Sequence, residues 1–260
     1  HTAFHKHFHN IEWTNNNPDI IIVETLGQGE VDYLNTLKSL DNVVLFQQCF
    51  LTSGVSLETW VDLWKRCKLV ISYNNLDSYT DEKFNFYRTP LGAEPDSFPV
   101  NVSDRNFKVF STGHVPETEC LYDVFLACKN TNNVMIHTGE NFCWDSKYYT
   151  FVKYLPENQF SYLLQRVQYV AGLRLIEGFE MACVEGAMTG AVPIVPCAQS
   201  YDWYRDFCIY VDPDFDIVKQ LTGIFSASYE PLSLEKTNYV RNQFSWERIC
   251  SNIYKRIIET

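Results

Sequence analysis

The segment LIEGFEMACVEGAMTGAVPIV, residues 175–195, carries three glutamates: Glu177, Glu180 and Glu185. A carboxylate near a helix N-terminus stabilises the helix by roughly 0.3–1 kcal/mol, which accounts for Glu180. That effect does not account for Glu177 in the turn before the predicted helix, nor for Glu185 about two turns inside it. The glycines and alanines around these carboxylates indicate close packing of a helix on a sheet. The segment is therefore the first candidate for a ligand site.

The elements that must position this segment alternate along the chain. Segments with helical apolar spacing separate many runs of strand length, and this alternation predicts βαβ units with parallel sheets. Runs that are apolar throughout are typical of strands covered on both faces. The predicted strands are 19–25, 42–48, 68–73, 107–112, 133–139, 149–155, 172–176, 191–196 and 208–213, and the predicted helical segments are 29–40, 118–130, 157–170 and 236–259.

One segment interrupts the alternation. Residues 86–106 are rich in Pro, Gly, Ser and Asn and predict a linker. About three strands precede it and about six follow. The sequence thus predicts two unequal α/β domains, 1–100 and 101–260, with the last helix as a candidate for crossing back to the first domain.

Composition excludes several classes of protein. The 260 residues are 46% apolar, which is neither disordered nor fibrous, and no apolar run reaches the roughly 18 residues of a membrane span. The net charge of −11, without a visible basic stripe, argues against a nucleic-acid binder. The first ten residues contain no apolar core of a signal peptide. Nine cysteines without a C-x-x-C pair indicate a reducing compartment, so we expect a cytoplasmic protein.

The glutamate segment resembles a known signature. Glu177 and Glu185 are separated by seven residues, and GF follows the first, as in the E-x7-E motif of retaining GT-B glycosyltransferases, in particular glycosyltransferase family 4. The succession KVFSTG, NVMIHTGE, TFVKYLPENQFSYLL, IYVDPDFDIVKQL and FSWERICSNIYKRI is similar to that of a GT-B C-terminal domain. The resemblance covers residues 86–260 well and is weaker before them.

The resemblance implies a role for each part of the segment. Glu177 would contact the donor sugar near the reacting centre, and Glu185 would accept hydrogen bonds from the ribose hydroxyls. A helix N-terminus at 178–181 suits sugar and diphosphate because its N–H groups are unpaired. The loop after TFVKYL would hold the base. The implied catalytic residue is Glu177, and the implied donor-binding residues are Gly113, His114, Lys153, Tyr154, Leu155, Arg174, Gly178, Phe179, Glu180, Met181 and Glu185.

The sequence also departs from the family pattern. Glu180 stands where the family often has a second glycine. His114 and Glu119 stand where an R-x4-K pair usually neutralises the diphosphate. The remaining candidate cations are Arg174 and Lys153, each predicted at a strand end, and Arg88. An early glycine-rich loop is missing, so the N-terminal domain is predicted to be small or truncated.

Two further patterns have competing interpretations. The histidines at 1, 5, 7 and 9 suit an accidental metal site, a catalytic histidine at His9 or, as we favour, a mobile or helical terminus. The D-x-D within DPDFD is typical of nucleotide-sugar enzymes that use a metal. Here it precedes a predicted helix, so we expect Asp214 or Asp216 to cap that helix. The aromatic candidates for stacking on sugar or base are Tyr73, Tyr87, Tyr154 and Trp203.

These patterns together predict an α/β protein of the GT-B type with two Rossmann-like domains, a small acceptor-side one at 1–100 and a nucleotide-sugar-binding one at 101–260. The predicted reaction is retaining transfer of a sugar from a nucleotide-sugar to an acceptor hydroxyl, with no metal and no separate cofactor. The acceptor is expected to be a glycan, lipid or protein rather than nucleic acid. A non-catalytic GT-B-like module and a sugar-nucleotide epimerase or hydrolase remain as alternatives.

Overall fold

The computed structural model describes residues 6–7, 18–25, 27–101, 104–176 and 178–260. The chain divides into two compact units. Unit 1 comprises His1–Leu91 and Trp246–Thr260, and unit 2 comprises Gly92–Ser245. Glu177, His1, His5 and His9 lie outside the described residues, so the interpretations that concern them stay predictions.

Unit 1 is built on a parallel sheet in the order β1-β2-β3-β4: Ile21–Thr25, Val43–Gln47, Leu69–Ser72 and Phe86–Arg88. Alternate side chains of β2 face opposite sides of this sheet, as the period of two requires. Val43 and Leu45 pack with buried residues of α1 (Gln28–Thr36) and α2 (Leu57–Arg66). Val44 packs on the other face, against α8 (Trp246–Glu259).

The helix α8 is the last element of the chain and belongs to unit 1. Its apolar positions Ile249, Ile253 and Ile257 recur every four residues, so they form one stripe along the helix. That stripe is buried against Val44 and Leu69 of the sheet. Segments from both ends of the chain thus share one hydrophobic core.

Unit 2 holds a six-stranded sheet in which every neighbouring pair is parallel, in the order β10-β9-β8-β5-β6-β7. Counted within the unit, this is the order 3-2-1-4-5-6 of a doubly wound Rossmann-like sheet. The strands are β5 Phe107–Gly113, β6 Met135–Gly139, β7 Tyr149–Phe151, β8 Val167–Ala171, β9 Val192–Pro196 and β10 Ile209–Val211. The helices are α3 Leu121–Asn130, α4 Glu157–Leu164, α5 Met181–Thr189, α6 Ile217–Ser226 and α7 Leu234–Gln243.

Arg105 ties helix ends of unit 2 together from inside. It is buried, and its guanidinium donates to the backbone oxygens of Leu164, Val167 and Thr189. A cation at the last carbonyls of α4 and α5 satisfies groups that those helices leave unpaired. Burial lowers the pKa of Arg105. These contacts give the arginine a structural role in unit 2.

The structure corrects several predicted elements. Helical spacing predicts one helix over 157–170, but α4 ends at Leu164 and Val167–Ala171 form strand β8, which pairs with both β5 and β9. Pairing on both sides overrides the local spacing. The predicted strand 172–176 is a loop, and the predicted linker contains the short strand β4. The C-terminal helical stretch is two helices, α7 and α8.

The predicted cap of the helix after the D-x-D is confirmed. The carboxylate of Asp216 accepts a hydrogen bond from the Lys219 N–H at 2.9 Å and caps α6, so the D-x-D has a structural role. All nine cysteines are free. Among the residues that the structure describes, every helix is too short or too polar to cross a membrane.

Candidate functional site

The carboxyl edge of the unit 2 sheet contains a point where the strand order reverses. Strands β5 and β8 are neighbours, and the chain leaves them for opposite sides of the sheet. In open parallel sheets, ligands bind in the crevice that such a reversal opens beyond the carboxyl ends of the strands. Two loops enter this crevice, 114–120 after β5 and 172–180 after β8. We call it the switch-point crevice.

The loop after β5 is organised by one carboxylate. Glu119 Oε2 accepts hydrogen bonds from the backbone N–H groups of His114 at 2.7 Å and Val115 at 2.8 Å. A side chain at Gly113 would collide with this carboxylate, so glycine is needed there. His114 and Val115 are exposed, whereas the Glu119 side chain is only 12% exposed. The two N–H groups therefore converge on one anionic group at the crevice.

The loop after β8 is attached to the loop after β5. The Leu175 N–H donates to the Thr118 carbonyl at 2.8 Å, and Arg174 Nε lies 4.0 Å from Glu119 Oε1. Arg174 also packs against Gly178, where an added Cβ would meet the Arg174 Cδ at 2.7 Å. Arg174 lies three residues beyond the end of β8, in this loop and not at a strand end. It brings a positive charge into an otherwise acidic crevice.

Glu180 is the N-cap residue of α5, and its side chain lies over the backbone that directly follows β8. Its side chain packs over Gly172, where a Cβ would lie 2.6 Å from the Glu180 Cγ. The Glu180 backbone carbonyl accepts a hydrogen bond from the Tyr204 hydroxyl at 3.0 Å. Burial raises the pKa of the Glu180 carboxyl to about 7, Arg174 opposes this shift and Glu119 adds to it. Near neutral pH this carboxyl is therefore partly protonated.

Two neighbouring residues have different roles. Phe179 is 8% exposed, and its ring lies 5.3 Å from that of Tyr204 and 6.3 Å from that of Phe244. Its side chain is therefore part of the core, and only its backbone is a candidate for ligand contact. Met181 is half-buried and begins α5. The helix N-terminus, rather than these side chains, is the polar feature at this position.

A second group of predicted residues lies around the start of α4. Glu185 is half-buried in α5, and burial raises the pKa of its carboxyl to about 7, with a further increase from the charge of Glu157. Glu157 is the first residue of α4 and was not predicted as a site residue. An acidic residue directly after Pro156 was the available signal, although it is equally typical of any helix start.

The loop between β7 and α4 carries the residues predicted to hold a base. Strand β7 ends at Phe151, so Lys153 lies in this loop and not at a strand end. Lys153 is exposed, Tyr154 is 90% exposed and Leu155 is half-buried. A tyrosine ring this exposed is free to stack on a flat ligand.

Among the remaining candidates, Trp203 is half-buried in unit 2, and the others lie in unit 1. Arg88 Nε donates to the Tyr73 carbonyl at 3.1 Å, and the Tyr73 side chain is 3% exposed. Tyr87 packs in the cluster beneath α8. These residues have structural partners there. Within the described parts of both units, no group of three or more His, Cys, Asp or Glu side chains is arranged to hold a metal ion.

No protein-family model matches the sequence, and no curated protein sequence matches it. Solved structures do match. The sucrose-phosphate synthase of Thermosynechococcus elongatus is similar with a TM-score of 0.74 at 10% identity, over 94% of this chain and 75% of that one. An α,α-trehalose-phosphate synthase of Burkholderia xenovorans gives 0.65 at 9% identity, over 92% and 72%. AviGT4, a glycosyltransferase of avilamycin A biosynthesis, gives 0.58 at 11% identity, over 88% and 76%.

The chain has the GT-B fold. Its two parallel sheets, of four and six strands, are the Rossmann-like sheets expected of that fold. At identities of about a tenth, the likeness concerns the fold and does not identify a reaction. In this GT-B chain, the described donor-binding candidates of unit 2 fall into two groups, one at the switch-point crevice and one at the start of α4.

Proposed function

We propose that unit 2 binds a nucleoside diphosphate-sugar at the switch-point crevice, and that the protein transfers the sugar to an acceptor hydroxyl with retention of configuration and without a metal. The observation that carries the proposal is the strand-order reversal between β5 and β8, with the N-terminus of α5 and the carboxyl group of Glu180 beside it. The GT-B fold of known nucleotide-sugar enzymes supports it. Two solved neighbours are described as UDP-forming synthases.

The charges of the crevice are compatible with a diphosphate despite the number of acids. Burial raises the pKa of both Glu180 and Glu185 to about 7, so neither carries a full negative charge at neutral pH. Arg174 and the α5 N-terminus contribute positive potential. A protonated or partly protonated carboxyl also donates or accepts hydrogen bonds with hydroxyl groups. Glu185 is accordingly assigned to the ribose, and the exposed loop 153–155 to the base.

The proposed chemistry needs little covalent work from the protein. The resemblance implies front-face attack by the acceptor hydroxyl, with the departing phosphate taking the acceptor proton. The protein would hold donor and acceptor in place and stabilise charge on the leaving diphosphate. Glu177 is proposed to lie near the anomeric carbon, on the strength of the motif alone.

A panel of nucleotide-sugars, beginning with UDP-glucose, tests the proposal by calorimetry and by release of nucleoside diphosphate. Glu185→Gln keeps the shape of the side chain and should weaken binding by roughly 1–3 kcal/mol. Glu177→Ala should lower turnover far more than it weakens binding of the free nucleoside diphosphate, which lacks the sugar. Glu235→Gln, on the exposed face of α7, is the matched control.

A non-catalytic module is the second candidate, because Glu119 already occupies the two N–H groups after β5. Binding of a nucleotide-sugar without turnover in the presence of a broad set of acceptors would favour this candidate. If no nucleotide-sugar binds, the transferase is wrong and the non-catalytic module stands only as a scaffold.

A further inference from the structure

The loop after β5 forms an anion-binding arrangement of backbone N–H groups. A side chain of the protein itself, that of Glu119, occupies this arrangement. The N–H groups of His114 and Val115 are consecutive along the backbone, and both donate to the same oxygen, Glu119 Oε2. Consecutive backbone N–H groups that converge in this way form a concavity that binds phosphate oxygens as readily as carboxylate oxygens. Arg174 approaches the other carboxylate oxygen, at 4.0 Å.

This arrangement of N–H groups lies where a ligand is expected to bind. It directly follows Gly113, the last residue of β5, at the strand-order reversal where a ligand of a doubly wound sheet is expected. The Thr118 carbonyl and the Leu175 N–H join the two loops, so the arrangement is built by both sides of the crevice. A carboxylate and a phosphate group cannot occupy it together, because both are anions that need the same donors.

We propose that Glu119 determines which ligands enter the switch-point crevice: its carboxylate holds the N–H groups of His114 and Val115, so that a phosphate group reaches them only by displacing it. The inference rests on the proposed function for the identity of the ligand, a nucleoside diphosphate-sugar. Affinity for a diphosphate is thereby held down, while contacts to base and sugar elsewhere in unit 2 are unaffected.

Displacement of Glu119 requires only a side-chain movement. The residue lies in the turn before α3, and its carboxylate is held by the loop N–H groups and by proximity to Arg174. When a phosphate takes those donors, Arg174 can follow the stronger anion.

The test compares Glu119→Gln with the parent protein and with Glu117→Gln. Glutamine can still accept hydrogen bonds from the loop but has no charge, so inorganic pyrophosphate should bind Glu119→Gln roughly tenfold tighter by calorimetry. Glu117 is exposed in the same loop, so its substitution removes an equal charge without freeing the N–H groups. Equal gains in both variants, or no gain in Glu119→Gln, would overturn the inference.

A measurement on the parent protein guards against a folding defect in the variant. Pyrophosphate should shift the backbone amide resonances of His114 and Val115 more than those of the neighbouring loops. Shifts confined to other residues would also overturn the inference.

The proposed function fails by a different result. If the parent protein neither binds nor turns over any nucleotide-sugar, that function is wrong, whatever the two glutamine variants do with pyrophosphate. If the parent transfers sugar while Glu119→Gln binds pyrophosphate no tighter, the function stands and the role of Glu119 is wrong.

Discussion

Single residues of the two candidate groups in unit 2 combine acidity with burial. Glu180 and Glu185 are both half-buried, and their pKa values of about 7 reflect the cost of placing a charge away from water. A buried carboxyl is a stability cost once it ionises. The ligand contacts proposed above would give these two carboxyls a role that offsets this cost.

The pH dependence of stability follows from Glu185. Its pKa in the folded state, about 7, exceeds the ordinary value of 4.5, so between these values the folded protein holds more protons than the unfolded chain. The free energy of unfolding should therefore fall as the pH rises from about 4.5 to about 7 and then level off. Glu185→Gln should raise stability by about 1–3 kcal/mol at pH 8 and leave it unchanged at pH 4. Urea unfolding of the parent and the variant at both pH values measures this difference. If the substitution changes the free energy of unfolding equally at pH 4 and pH 8, the Glu185 carboxyl titrates at its ordinary pKa and the prediction is wrong.

Arg174 is the residue that we propose as a cation for the diphosphate at the crevice. Arg174→Ala should weaken the binding of a nucleoside diphosphate by roughly tenfold and that of the nucleoside much less. The loss should shrink as salt increases, because screening weakens the interaction that was removed. Titrations at low and high salt measure both effects. Equal loss for nucleoside and nucleoside diphosphate would place the diphosphate elsewhere.

At the scale of elements, the ends of the parallel strands depend on close backbone contacts. Gly139, at the end of β6, has a positive φ of 123°, and a Cβ there would collide with the Gly113 carbonyl. Gly139→Ala should therefore destabilise the protein by about 2 kcal/mol or more. Gly223 in α6 has no heavy atom within 4 Å of the equivalent position, so Gly223→Ala should stabilise by roughly 0.5–1 kcal/mol. Thermal unfolding of the pair tests the difference in sign.

Elements whose pattern agrees with their final pairing are the predictable ones. In strand β5 and helix α3, the spacing of the apolar residues agrees with the type of element. The predicted bounds of both elements lie within a few residues of the observed ones. Strand β8 was missed because Val167–Ala171 continue the spacing of α4, and only pairing with β5, some 60 residues earlier, makes this segment a strand. Such distant pairing leaves no local signal in the sequence.

The site was predictable to a similar degree. The E-x7-E spacing identified Glu185 and the start of α5 as candidates, since helix positions follow from local sequence. The hydrogen bonds of Glu119 depend on how the loop 114–120 turns, with Cys120 at a positive φ, and this conformation cannot be deduced from STGHVPETEC. The charge relation between Glu157 and Glu185 likewise needs two helices brought together.

At the scale of the whole molecule, unit 1 depends on a helix from the far end of the chain. Ile253 is 1% exposed against the sheet, whereas Ile258 on the same helix is 63% exposed. Ile253→Ala should destabilise the protein by about 2–4 kcal/mol through lost burial and a residual cavity. Ile258→Ala should change stability by less than about 0.5 kcal/mol. Similar unfolding midpoints for the two variants would show that α8 does not contribute to the core.

The discontinuity of unit 1 also has a consequence during translation. A ribosome releases residues 92–245 in one uninterrupted stretch, so unit 2 can fold while α8 has not yet been synthesised. The sheet face of unit 1 that carries Val44 and Leu69 has no covering helix until then. The strands of unit 1 are thus made before unit 2, whereas the helix that covers them is made after it, so this apolar sheet face stays uncovered while unit 2 is being synthesised.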